Sequence, residues 1–153
     1  MLFPAPIQRW TAVPKPPPDR SRHWQAAADS TPILTCSFGK DSIATALLAL
    51  QHGEPLDELV YSEVMFSDTV SGELPEHKRF IYETAIPYFE KRGIPTRVLR
   101  GQKTYLDCFY HIVSRGNAEG KLASFPLTGR CSIQRDCKLP PIRTYQKTLP
   151  QDT

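Results

Sequence analysis

One stretch decides the fold of this chain: Pro32-Ile33-Leu34-Thr35-Cys36-Ser37-Phe38-Gly39-Lys40-Asp41-Ser42-Ile43-Ala44-Thr45-Ala46-Leu47-Leu48-Ala49-Leu50. Residues 33–36 are a short apolar run, which predicts a buried strand, and residues 43–50 have the density of Ala and Leu that is typical of a packed helix. A strand that passes through a short polar turn into a helix points several backbone N–H groups at one place, beside the positive end of the helix dipole. The turn, Ser37 to Ser42, is therefore predicted to bind phosphate.

The Gly-Lys pair in this turn does not belong to a P-loop of the Walker type. That motif has a glycine five residues before its second glycine, and serine or threonine directly after the lysine. Leu34 and Asp41 stand at those two places. From the residues alone two interpretations stay open: a phosphate-binding turn of another kind, and an ordinary turn in which Asp41 or Ser42 caps the helix.

The Ser37–Ser42 loop resembles the Ser-Gly-Gly-Lys-Asp-Ser pyrophosphate loop of the PP-loop ATP pyrophosphatases, and especially that of the phosphoadenosine phosphosulfate (PAPS) reductase family. Five of the six positions match. The departure is Phe38, and if its position requires a positive φ, the bulky side chain costs on the order of 1–2 kcal/mol there. Branches of the family that resemble the small subunit of sulfate adenylyltransferase also carry a bulky apolar residue at this place.

Two later segments extend the resemblance over about residues 31–145. Asp68-Thr69 follows the apolar run 58–66, which predicts a second strand, and resembles the Asp-Thr that ends the corresponding strand near the nucleotide in the family. Ligands of open parallel sheets lie outside the carboxyl ends of the strands. Further on, Cys137 precedes Lys138, two spacer residues and Pro141-Ile142, which resembles the spacing of a cysteine, a basic residue and Pro-Leu in family members.

The resemblance implies a three-layer α/β fold, in which a parallel, twisted sheet has helices on both faces, as in the adenine nucleotide alpha-hydrolase-like proteins. It implies binding of an adenine nucleotide, ATP or PAPS, together with magnesium, and chemistry at the α-phosphate or on the sulfonucleotide in sulfur metabolism. Enzymes that reduce PAPS also carry a Glu-Cys-Gly tail, which this sequence does not contain. We therefore expect the nucleotide-binding front half of a longer relative, from a bacterial or phage setting.

In this interpretation the backbone N–H groups of residues 39–41 hold a phosphate or pyrophosphate, while Lys40 neutralises its charge. Asp41 and Asp68 offer the oxygen ligands that magnesium prefers. The expected catalytic residues are Lys40, Asp41 and Asp68. The expected nucleotide-binding residues are Ser37, Phe38, Gly39, Lys40, Asp41, Ser42, Thr69, Arg135 and Lys138.

The cysteines are too few and too scattered for a disulfide scaffold, and with the prolines near the N-terminus, which interrupt any signal peptide, they predict a reducing cytoplasm. Cys108 falls on a predicted helix and is expected to be a small buried hydrophobic residue. Cys131 and Cys137 are at most half of a metal site, because zinc or an iron–sulfur cluster normally needs four protein ligands. Similar relatives complete an iron–sulfur cluster with cysteines later in the chain.

Composition predicts one soluble domain, because 40% of the residues are hydrophobic, 23% are charged and no apolar run is long enough to span a membrane. The net charge is only +3, so dedicated nucleic-acid binding is not indicated, although it stays open. The last stretch is basic and suits either an anionic ligand or a solvated helix face. Its cations are Arg130, Arg135, Lys138, Arg143 and Lys147.

The chain divides into a Pro-rich leader at 1–30, which is predicted to be extended or disordered, a nucleotide-binding domain at 31–147 and a short tail at 148–153. Strands are predicted at 33–36, 58–66 and 94–100, and helices at 43–50, 75–93 with a kink at Pro87, and 105–115, followed by a loop at 118–129. This alternation predicts a parallel sheet.

Three functional hypotheses follow from the sequence. The first is an enzyme of the PAPS reductase family. The second is a nucleotide-binding module without chemistry, or one that needs a second copy or a partner chain to complete it. The third is a basic module that binds nucleic acid.

Overall fold

The fold is a three-stranded parallel sheet with helices between the strands, seen in a computed structural model that describes residues 31–124 and 131–150. The strands are β1 (Ile33–Thr35), β2 (Glu58–Glu63) and β3 (Thr96–Arg100), in the order β1-β2-β3. Both neighbouring pairs are parallel. The predicted α/β class and parallel sheet are thus confirmed. The predicted leader and the last three residues of the tail lie outside the described residues.

The helical segments follow the predicted alternation as far as residue 109, whereas those after residue 133 were not predicted. They are α1 (Lys40–His52), α2 (Pro75–Phe80), a first π turn (Ile81–Ala85), α3 (Ile86–Glu90), α4 (Tyr105–Phe109), a second π turn (Gln134–Lys138) and α5 (Leu139–Gln146). Each π turn ends two residues before a proline, Pro87 or Pro140. Proline supplies no N–H to the ordinary helical ladder, so an irregular turn is expected beside it, and the first π turn lies beside the predicted kink at Pro87.

The predicted helix at 105–115 is too long, because α4 ends at Phe109. The chain then pairs with itself, through an antiparallel bridge between Ile112 and Leu122. Gly116 and Gly120 both adopt positive φ between the two arms, which lets the chain turn back sharply. Part of the predicted loop at 118–129 is therefore paired backbone, and its residues 125–129 lie outside the described ones.

Strand β2 lies at the centre of the sheet, and all six of its residues are buried. Leu59 and Tyr61 point into the main core, which also contains Ala46 from α1 and Phe89 from α3. Residues on the opposite face of the same strand contact the C-terminal helical segment. There the Ser62 hydroxyl donates a hydrogen bond of 3.1 Å to the Lys138 carbonyl, and the Tyr145 hydroxyl donates to Glu58.

Gly101 lets the second π turn approach the end of β3. A Cβ atom on this glycine would lie only 2.4 Å from the Cys137 carbonyl oxygen, which is backbone and cannot swing aside. We therefore expect Gly101→Ala to lower the free energy of unfolding by about 1–3 kcal/mol, as other overpacked sites do. Urea unfolding followed by circular dichroism measures this, and wild-type stability in the variant would mean that the two segments are not in contact.

Candidate functional site

The Ser37–Ser42 loop connects the carboxyl end of β1 to α1, and its side chains alternate between core and surface. Phe38 is buried, whereas Ser37 is exposed. Gly39 is the N-cap residue of α1, with an extended backbone (φ −74°, ψ 167°). Because glycine has no side chain that could accept from the first-turn N–H groups, those donors are left for an external acceptor.

Polar side chains of the loop meet at this helix end. The Ser42 hydroxyl donates to the Gly39 carbonyl at 3.0 Å, and the hydroxyl oxygens of Ser37 and Ser42 lie 3.3 Å apart. Lys40 and Asp41 are exposed in the first turn of α1. The structure therefore brings together the predicted site residues at 37–42.

Phe38 has the left-handed backbone that the sequence analysis considered for it. Its φ is +56°, a conformation that costs a non-glycine residue about 1–2 kcal/mol. Its ring is almost fully buried and packs edge-on against Tyr61, with the ring centroids 5.4 Å apart. Burial of an aromatic side chain contributes roughly 1.5–3 kcal/mol, which offsets the backbone cost.

A hydrogen-bonded chain that sequence reasoning missed supports the loop from α2. The His77 ring lies between the Phe38 carbonyl oxygen, 3.3 Å from Nε2, and the Glu73 carboxylate, 2.8 Å from Nδ1. The other Glu73 oxygen accepts from the Tyr61 hydroxyl at 3.1 Å. The Glu73 hydrogen bond raises the pKa of His77, and burial, followed by Glu73, raises the pKa of Tyr61.

Asp68 and Thr69 follow β2, as predicted. The strand ends at Glu63, earlier than the predicted residue 66, so the two residues lie five and six positions beyond it. Both are exposed, in a tight turn where the Val70 N–H donates to the Ser67 hydroxyl at 3.3 Å. Within residues 31–124 and 131–150, neither side chain makes a hydrogen bond or an ion pair. Among the described residues, therefore, no hydrogen bond or ion pair links either side chain to the Ser37–Ser42 loop.

Arg135 and Lys138 lie in the second π turn. The Arg135 guanidinium pairs with Asp136 through two contacts of 2.6 and 2.8 Å, which holds the pKa of the Asp136 carboxyl below its usual range. The backbone of Lys138 is held against β2, because its carbonyl oxygen accepts a hydrogen bond from the Ser62 hydroxyl. Neither side chain makes a described hydrogen bond to the Ser37–Ser42 loop, so their predicted role there stays a prediction.

A cavity of about 630 Å³ lies between the end of β3 and α5. Arg100, Lys103 and Asp136 line it, together with Tyr145. This cavity was not predicted, because its walls come from segments that are far apart in the chain.

The two cysteines of the predicted metal half-site differ in their surroundings. Cys131 is exposed, whereas Cys137 is fully buried, with its sulfur 3.4 Å from the sulfur of Cys108. Burial, followed by the neighbouring Cys108, raises the pKa of Cys137 to about 12, so the thiol stays protonated at neutral pH. Cys108 itself is buried, as predicted.

A protein-held metal centre does not fit the donors present in the described residues. There, no three or more His, Cys, Asp and Glu side chains are grouped so that they could hold a metal ion. An iron–sulfur cluster or a zinc ion needs about four such ligands. The half-site at Cys131 and Cys137 stays a prediction.

Comparison with protein families, curated proteins and solved structures found no match for this chain. In the part of the chain that the structure describes, no helix has both the length and the hydrophobicity that a membrane crossing requires.

Proposed function

We propose that this chain binds an adenine nucleotide, ATP or PAPS, at the Ser37–Ser42 loop, as a protein of the PAPS reductase type with an adenine nucleotide alpha-hydrolase-like fold. One observation carries the proposal. The 13-residue helix α1 begins without a side-chain cap at the carboxyl end of a parallel strand, and two hydroxyls and Lys40 stand at the same turn. Helix N-termini of this kind bind phosphate through their N–H groups and dipole.

Each loop residue except the buried Phe38 has a distinct part in the proposed chemistry. The N–H groups of residues 39–41 bind the phosphate oxygens, Ser37 and Ser42 add hydroxyl donors, and Lys40 balances the negative charge. These groups stabilise the charge that develops at the α-phosphate of ATP when an acceptor oxygen bonds to it and the bond to the leaving pyrophosphate breaks. A bound magnesium ion would neutralise phosphate charge, and the exposed carboxylates of Asp41 and Asp68 are oxygen donors suited to it.

Loss of the lysine is expected to weaken nucleotide binding. We expect Lys40→Ala to bind ATP or PAPS, each with magnesium, at least about tenfold more weakly than the wild type, because a charge-assisted contact is worth roughly 1.5–3 kcal/mol. Isothermal titration calorimetry measures this. Lys91→Ala, at the exposed C-terminal end of α3, is the matched control and should bind like the wild type. Equal affinity of Lys40→Ala and wild type, or no binding by either, would contradict the proposal.

Product analysis then separates an enzyme from a binding module. Release of pyrophosphate from ATP and magnesium supports chemistry at the α-phosphate, whereas binding without product supports a module that lacks chemistry or needs a second chain. Strongly salt-dependent binding to mixed-sequence DNA, without nucleotide binding, would instead favour the nucleic-acid hypothesis.

A further inference from the structure

The two contacts of the His77 ring favour its protonated form. Its partners, the Glu73 carboxylate at 2.8 Å and the Phe38 carbonyl at 3.3 Å, can only accept hydrogen bonds when Glu73 is ionised. A neutral imidazole has one N–H and must turn a lone pair toward one of these oxygens. Only the imidazolium, with two N–H groups, satisfies both contacts together.

These contacts belong to a closed cycle of interactions among Phe38, His77, Glu73 and Tyr61, which we call the clamp. His77 holds the Phe38 carbonyl, Glu73 links His77 to the Tyr61 hydroxyl, and the Tyr61 ring packs on the Phe38 ring. Phe38 is the residue with a left-handed backbone directly before the N-cap of α1. A strained backbone of this kind persists only where its surroundings fix it from several sides.

We propose that protonated His77 is the positioning residue of the Ser37–Ser42 loop, and that loss of its proton loosens the loop and weakens phosphate binding there. The part about phosphate rests on the function proposed above. The part about the loop does not, because it concerns the conformation of the free protein.

The groups around His77 favour its charged form. Glu73 is the carboxylate that touches the ring, while the neighbouring Lys78 pairs with Glu63 at 3.3 Å, a carboxylate that Arg100 also contacts. Tyr61 is linked to the His77 ring through Glu73. The exposed side chains of Lys40 and Asp41 lie in the first turn of α1, within the same loop. The Glu73 hydrogen bond raises the pKa of His77 above its ordinary 6.5.

The sign of the pH dependence follows from this direction. Since the pKa is higher in the folded protein than in the unfolded chain, the contribution of the clamp to stability is complete below pH 6.5 and is lost as the pH rises through the pKa of folded His77. The loop should therefore be best ordered on the acidic side of that value.

The test combines NMR of the free protein with binding of inorganic pyrophosphate between pH 6 and 9. In the wild type we expect His77 to titrate above 6.5, and the amide signals of Phe38 and Gly39 to follow the same titration. In Glu73→Gln, which keeps an oxygen for Tyr61, the His77 titration should move down. In His77→Gln the amide signals should show no such step.

Pyrophosphate itself titrates in this range, so the quantity of interest is the affinity ratio of wild type to His77→Gln at each pH. We expect this ratio to fall by about tenfold from pH 6 to pH 9, the equivalent of roughly one hydrogen bond. A ratio that does not change with pH, or a His77 that titrates at or below 6.5, overturns the proposal. If pyrophosphate binds to neither protein, the proposed function and the phosphate part fail, while the amide titration still supports or refutes the clamp.

Discussion

Phe38→Ala is expected to lower the free energy of unfolding by about 3–5 kcal/mol, as truncation of buried phenylalanines does in other cores. The Phe38 ring is almost fully buried and contacts Tyr61 on β2, so its loss leaves a cavity between the loop and the central strand. Alanine does not relieve the left-handed backbone either, because its Cβ meets the same steric conflict at φ +56°.

Phe38→Gly should be more stable than Phe38→Ala by about 1 kcal/mol, because glycine adopts positive φ without strain. Phe89 provides the matched control, since it is equally buried but lies in the regular helix α3. At Phe89 the order should reverse, with glycine less stable than alanine by about 1 kcal/mol. Urea unfolding of the four variants measures both differences. If alanine is as stable as glycine at position 38, the loop does not hold the left-handed conformation.

The fold was largely predictable because its strands are apolar runs bounded by turn signals. β1 and β2 begin at the predicted residues, and Gly53 ends α1 in the left-handed conformation expected of a C-cap glycine. The end of α4 was not predictable from its own residues. Ile112 and Val113 fit a helical pattern as well as a strand, and only pairing with the arm around Leu122 decides between the two.

The candidate site was predictable where it is local in sequence and unpredictable where tertiary contacts build it. The loop motif identified Ser37, Gly39 and Lys40 as expected binding residues, and the strand-to-helix context predicted their place at a helix end. His77 stands 39 residues beyond Phe38, so no spacing rule connects the two. Residues 71–77 were interpreted as part of the family resemblance and as the start of a helix, with no role for His77, because its contact forms only where α2 lies beside the Ser37–Ser42 loop.

Glu63→Gln is expected to lower the free energy of unfolding at pH 7 by roughly 1.5–3 kcal/mol, because a neutral amide does not reproduce the charge-assisted hydrogen bonds that the buried carboxylate accepts. The Glu63 carboxylate is fully buried at the end of β2. Arg100 donates two hydrogen bonds to it, of 2.7 and 2.9 Å, and Ser71 and Tyr82 donate one each. The carboxylate thereby joins β3, the turn after β2 and the first π turn.

This network also determines how the protein responds to acid. Burial alone would raise the pKa of Glu63, but the hydrogen bonds from Ser71, Arg100 and Tyr82 outweigh it and lower the pKa from 4.5 to about 2. Because the pKa is lower in the folded protein, the stabilisation is complete above pH 4.5 and is lost as the pH falls from 4.5 toward 2. The difference of about two to three pKa units corresponds to about 3 kcal/mol.

Urea unfolding of wild type and Glu63→Gln at several pH values between 7 and 2 tests this prediction. The stability difference between the two proteins should be largest at pH 7 and should shrink toward pH 2, where the wild-type carboxyl also becomes neutral. Glu83→Gln is the control, because Glu83 is an exposed carboxylate on the first π turn, beside Tyr82. This substitution should change stability by less than about 0.5 kcal/mol. A difference that stays constant down to pH 2 would show that Glu63 contributes through packing and not through its charge.

Since Lys78, an ion-pair partner of Glu63 on α2, directly follows His77, protonation of Glu63 removes an anchor of the helix that supports the Ser37–Ser42 loop. The loop is thus expected to be held best between the acidic loss of Glu63 and the alkaline loss of the His77 proton.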